Sequence, residues 1–259
     1  MLETYLKQKL KTKEILLMTH IVLGYPTFDD AFKMIEAMVS AGVDLMELQI
    51  PFSEPIADGP VILHANQEAL SKGATVEKCM AFAQNVVKLF DIPFLFMSYY
   101  NILFKYGVER FAGDMAEYGL KGAIVPDLPP EEGEEYIGAM DEYRLSPIFI
   151  FSPTTSDDRM KYLNSFGKGF IYCVSRKGVT GVATDFSGQL GQYLSRCRKA
   201  TDLPLALGFG VKERKDIAFL KGKADIAVIG SETIRRVDQG GVIAVKEFIE
   251  SLQHPENRK

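Results

Sequence analysis

The 259-residue chain has only three cysteines, Cys79, Cys173 and Cys197, odd in number and far apart. No disulfide framework fits them, and no pair has the spacing of metal ligands. They read as free thiols in a reducing compartment. Histidine is equally scarce: His20, His64 and His254 have no ligand spacing with cysteines or acids, so no metal site is expected. There is no basic excess. A net charge of −4 and a pI near 5.6 argue against nucleic acid or an anionic membrane as the main partner. No run of about 18 apolar residues exists, so no membrane span is expected. The opening MLETYLKQKLKTKE is charged and amphipathic, unlike a secretion signal. A cytoplasmic protein is the expectation. With no low-complexity stretch and no linker, residues 1–259 are read as one domain.

What is there is an alternation. Eight short apolar runs read as strands: 15–24, 44–50, 93–99, 121–127, 147–153, 169–175, 204–210 and 225–231. Helical patterns separate them. In 29–42, Phe32, Ile35, Met38 and Val39 share a face, behind an acidic start and before a glycine stop. Residues 75–90 and 131–143 behave alike. Near-continuous apolar strands suit a parallel sheet covered by helices. Eight strand–helix units in about 250 residues are what a (β/α)8 TIM barrel requires, here with an extra N-terminal helix. A doubly wound open sheet is the alternative, but it favours a GxGxxG turn after its first strand, and VLGYPT is not one.

Barrel geometry gives meaning to an acid in an apolar strand. In DLMELQI, Met46, Leu48 and Ile50 share one face, and Leu45, Glu47 and Gln49 the other. The second set points into the barrel, with Glu47 near the C-terminal strand end, where barrel active sites are built. The following loop carries a second acid, Asp58, over the same mouth. A glutamate walled by apolar groups can exchange a proton near neutral pH, while a differently buried aspartate stays charged. Glycines near three late strand ends let backbone N–H groups approach an anion. Ser231 stands where a helix can begin. A substrate phosphate is therefore expected near Gly181, Phe209, Gly210, Gly230 and Ser231.

The segment ELQIPFSEPIADGPVI is similar to the ElGiPFSDPxADGPvIq signature of the tryptophan synthase α subunit family. FMSYYNILFKYG, IVPDLPPEE, PIFIFSPTT, YCVSRKGVTG and ALGFGV match in order and spacing, so the resemblance covers essentially the whole chain. It implies a cofactor-free lyase that cleaves indole-3-glycerol phosphate to indole and glyceraldehyde 3-phosphate. It also implies a PLP-dependent β partner in an αββα heterotetramer. By motif match Glu47 is the general acid/base and Asp58 the second catalytic carboxylate. Tyr99, Ile124, Ile150, Tyr172 and Phe209 then line the indole pocket or its rim, and Thr180, in loop 176–187, orients Asp58. Protonation of indole C3 puts positive charge on the ring nitrogen, which an ionised aspartate stabilises.

The chain departs from the pattern. Gln49 replaces the signature glycine; it adds bulk beside Glu47 and an amide that can hydrogen-bond the carboxylate and over-stabilise its ionised form. In the first strand, usually PFxTxG, His20 stands for the aromatic and Val22 for the threonine; a histidine there can pair with Glu47. Leu63 replaces the glutamine of GPVIQ. Glu54 replaces the aspartate of SDP, in a loop that faces the β partner in the family. Two alternatives stay open: a catalytically weakened subunit that still activates β, and a related lyase with an altered substrate.

Overall fold

In the computed structural model, residues 1–175, 188–208 and 210–253 are described. Among them the chain opens with helix α1 (Leu2–Lys9) and then alternates strands with helices. The strands are β1 (Leu16–Val22), β2 (Leu45–Gln49), β3 (Phe94–Met97), β4 (Gly122–Ile124), β5 (Ser146–Ile148), β6 (Ile150–Phe151), β7 (Ile171–Val174), β8 (Leu205–Gly208) and β9 (Ile226–Ile229). All pairings are parallel, in the order β5-β4-β3-β2-β1-β9-β8-β7-β6. The two ends of that order are one residue apart in the chain. Phe149 joins β5 to β6, so the sheet closes on itself through a covalent link. The expected run 147–153 is thus the fifth barrel strand in two short pieces. Pro147 offers no N–H to the ladder there, but its carbonyl accepts from Lys168 N (3.1 Å) and that of Phe149 from Tyr172 N (3.0 Å).

Alternation sorts the core into an inner and an outer layer. Leu16, Met18, Leu45, Leu95, Ile124, Ile148, Ala206, Ile226 and Val228 form the cluster inside the barrel. Leu2 and Leu6 of α1 join that cluster, so the N-terminal helix fills the barrel floor. Leu17, Ile21, Met46, Leu48 and Ile50 belong instead to the cluster shared with the outer helices. Close strand approach constrains one residue: a Cβ on Gly122 would lie 2.2 Å from the Ser146 carbonyl oxygen, so β4 and β5 pair only around a glycine.

The helices begin where the sequence punctuates. The helix expected over 29–42 is α2 (Phe28–Ser40), and Thr27 caps it by accepting from Asp30 N at 3.1 Å. Thr75 caps the later helix α4 (Val76–Leu89) in the same way. The pattern over 131–143 divides into a short 3₁₀ turn, Pro130–Glu132, and a helix, Glu134–Glu142, because Gly133 separates them. The long C-terminal element Ser231–Gln253 is broken at Gly240 and Gly241, whose backbone is non-helical. Among the described residues no helix is long and apolar enough to cross a membrane.

Candidate active site

The register of β1 and β2 sets His20 opposite Glu47. Both point into the barrel and both are 3 % exposed. His20 Nδ1 lies 3.0 Å from Glu47 Oε1, so the acid in the apolar strand has a buried partner. The Tyr172 hydroxyl, across the barrel on β7, reaches the same oxygen at 3.5 Å, the outer limit of a hydrogen bond. Burial pushes the His20 imidazole toward its neutral form. The hydrogen bond and charge of Glu47, with the charge of Asp58 and the Gln49 side chain, outweigh it, and the net direction is upward. Burial, then the charges of the two acids, hold the Tyr172 hydroxyl well above its ordinary value; it acts as a neutral donor.

Asp58 is held from the other side. Gln49 Nε2 donates to Asp58 Oδ2 at 2.6 Å, and Asn66 Nδ2 donates to the same oxygen at 3.3 Å. The expected bond from Gln49 to Glu47 is therefore corrected: the amide serves the other acid. Glu47 is taken by His20, and the loop after β2 folds back over the strand end, bringing Asp58 onto the Gln49 amide. Burial raises the Asp58 pKa; the Gln49 hydrogen bond, the charge of His20 and the Tyr99 hydroxyl pull against it. Among the described residues, two buried polar atoms next to these acids have no hydrogen-bond partner: His20 Nε2 and Gln49 Oε1.

A cleft of about 840 Å3, open mouth included, lies at the C-terminal end of the strands. Glu47, Asp58 and His20 line it, together with Ile124, Ile150 and Tyr172. Gly210, Gly230 and Ser231 line it too, so the expected acid/base end and the expected phosphate end share one cavity. Tyr99 is only 1 % exposed and stands behind the wall, where its hydroxyl accepts from Ala57 N at 3.2 Å and its ring stacks on Phe52. Thr180, Gly181 and Phe209 lie outside the described residues. Gly208, at the end of β8, is required by close packing, since a Cβ there would meet Tyr172 Cε1 at 2.2 Å. The missing side chain lets the tyrosine ring lie across the barrel.

Three polar residues were missed in the sequence. Asn66 falls on the buried face of α3 (Pro60–Ser71) with Ile62, Ala65 and Ala69. A polar residue at a core-facing helix position was the available signal. Asn66 also accepts from Phe52 N at 3.0 Å and so ties the loop to α3. Lys212 and Arg235 bring positive charge to the glycine end of the cleft. Arg235 sits one turn after Ser231, with its guanidinium 3.3 Å from Glu232. Of the departures, Val22 is buried, Leu63 half-buried and Glu54 exposed.

A sequence model described as tryptophan synthase alpha chain matches residues 6–257. The chain belongs to the tryptophan synthase alpha chain family. Its lyase role in tryptophan biosynthesis comes with that membership. The tryptophan synthase alpha chain of Syntrophotalea carbinolica is 64 % identical over 253 residues, 98 % of this chain and all of the relative. Among solved structures, Mycobacterium tuberculosis tryptophan synthase is similar with a TM-score of 0.90 at 28 % identity, over 97 % of this chain and 96 % of that one. A tryptophan synthase complex from Pyrococcus furiosus is similar with a TM-score of 0.84 at 26 % identity, over 92 % and 97 %. The family's fold, a TIM barrel, is the one described above.

Proposed function

We propose that Glu47 and Asp58 carry the retro-aldol cleavage of indole-3-glycerol phosphate. Glu47 gives a proton to indole C3. The C3–C1′ bond breaks as Glu47 takes the proton of the C1′ hydroxyl, which leaves as the aldehyde of glyceraldehyde 3-phosphate. Positive charge builds on the indole nitrogen meanwhile, and ionised Asp58 stabilises it. The observation that carries this reading is the pair of buried carboxylates in one cleft with separate partners, His20 on one and Gln49 with Asn66 on the other. Ile124, Ile150 and Tyr172 fit the indole. Gly210, Gly230, Ser231 and the charges of Lys212 and Arg235 fit the phosphate.

The weakened-subunit reading rests on the altered pocket of Gln49 and His20, above all on an amide that crowds or over-stabilises Glu47. Gln49 bonds to Asp58 instead, which favours the active reading. Indole release from indole-3-glycerol phosphate by the purified chain tests it. Glu47→Gln, a neutral isostere, is expected to lower turnover at least a thousandfold with the melting temperature retained; near-normal turnover in that variant overturns the role of Glu47.

The same reading includes a β-type partner and an αββα assembly. One solved structure it resembles is of a tryptophan synthase complex. Two exposed large apolar side chains support it: Ile56, 71 % exposed in the loop after β2, and Phe104, 70 % exposed on α5 (Tyr100–Tyr106). Tyr99, which caps α5, holds that loop through Ala57 N. Sedimentation of the chain with a cognate β subunit is expected to give a 2:2 complex, and Phe104→Asp to weaken it.

A further inference from the structure

We propose that His20 and Glu47 work as one proton-holding pair, with His20 as the positioning residue that keeps the acid/base carboxyl supplied with its proton. The proposal rests on Glu47 being the acid/base group.

The geometry points to a pair rather than to two neighbours. The contact is direct, at 3.0 Å, and both side chains are nearly sealed from water. The histidine is held from both sides of its backbone: its own strand pairs with β2, and its carbonyl accepts from Thr233 Oγ1 at 3.0 Å. It lines the same cleft as Glu47 and Asp58. Its second ring nitrogen, Nε2, makes no hydrogen bond of good geometry among the described residues, and the Gln49 side chain beside it helps to hold the ring protonated.

The charges around the pair are few. Glu47 faces His20 from β2, and Asp58 faces it from the loop beyond. Tyr172 approaches Glu47 from β7 as a neutral donor. Lys212, Glu232 and Arg235 line the other end of the cleft. Next to His20, then, stand two acids and no cation among the described residues, and the transferable proton of the pair is readily held.

In the one-proton state, the proton crosses the Nδ1···Oε1 hydrogen bond. On the carboxyl it is the acid that C3 receives. Once it is given up, the carboxylate accepts the proton of the C1′ hydroxyl, and the pair returns to its starting state. One proton leaves the pair, one enters, and no other reactant is consumed. The consequence is a wider working range. A lone carboxyl loses its proton in the carboxylate range, whereas a carboxyl–imidazole pair keeps one into the imidazole range, roughly two pH units higher.

The test is the pH dependence of kcat for indole release by the full chain and two variants, His20→Phe and His20→Gln. Phenylalanine fills the space with a ring; glutamine can hydrogen-bond Glu47 but cannot titrate. The expected result is an alkaline limb displaced toward acid by about one pH unit or more in both. A His20→Gln limb that coincides with wild type overturns the proposal, because a structural hydrogen bond is then enough. A second readout needs no activity. In 15N spectra of the histidine rings, His20 is identified by the signal missing from His20→Phe. It is expected to titrate above free imidazole in wild type and to fall by about one unit or more in Glu47→Gln. An unmoved His20 titration in Glu47→Gln overturns the pair. Persistent turnover in Glu47→Gln would instead defeat the underlying assignment of Glu47, so the two failures are distinguishable.

Discussion

Replacing Gln49 with methionine tests whether the residue found in place of the family glycine has become part of the machinery. The two side chains are similar in length, so the change keeps the volume of a fully buried position while removing the amide. What is lost is the 2.6 Å donation to Asp58 Oδ2. A hydrogen bond to a charged group is worth about 1.5–3 kcal/mol. Asp58 keeps the longer bond from Asn66, at 3.3 Å, and the influence of the Tyr99 hydroxyl, which places the loss at the lower end. About 1.5–2 kcal/mol corresponds to a fall of roughly 10–30-fold in kcat/KM, since the ionised Asp58 is needed as charge builds on the indole nitrogen. Protonation of Asp58 also becomes easier, so the acid limb of the pH–rate profile moves upward. The assay is steady-state indole release across pH, with thermal denaturation to verify folding. Folding is expected to be little affected, because the variant also removes the unpartnered Gln49 Oε1. An unchanged rate with an unmoved acid limb refutes the reasoning, and so does a gain in rate, which would mean that Gln49 hinders the site.

Asp58→Asn is expected to abolish turnover and stabilise the fold. The folded-state pKa of Asp58 is raised, first by burial. Its stabilising, protonated form is thus fully present below the unfolded value and is lost as pH rises through the folded value. At neutral pH the ionised group is a cost; relieving it, with Gln49 free to flip and accept from the new amide, contributes on the order of 1 kcal/mol. A melting temperature that rises at pH 7 but not near pH 3 is the check. Gly208→Ala drives a methyl into the Tyr172 ring and is expected to cost about 1–3 kcal/mol in denaturant unfolding and to raise KM more than a surface substitution does. Unchanged KM would show that the ring does not bound the substrate.

The barrel was legible because its signals are local. Eight apolar runs alternating with helical patterns, capping residues such as Thr27 and Thr75, and period-two alternation in β2 follow from backbone geometry and the cost of burying polar groups. Alternation alone turned Glu47 and Gln49 inward and Met46 outward, and the β1–β2 pairing that joins His20 to Glu47 was foreseeable from neighbouring strands. The sequence motifs also placed Asp58, Gly230 and Ser231 at the mouth. Which acid the Gln49 amide serves was not legible. It depends on how the loop after β2 returns and on Asn66 from α3, contacts between residues whose mutual distances no periodicity encodes. The fit of Tyr172 over Gly208 is of the same kind. Local sequence sets the direction in which a side chain leaves its strand; only the closed barrel decides what it meets there, because hydrogen bonds and steric contacts act over a few ångströms between elements that only the fold brings together.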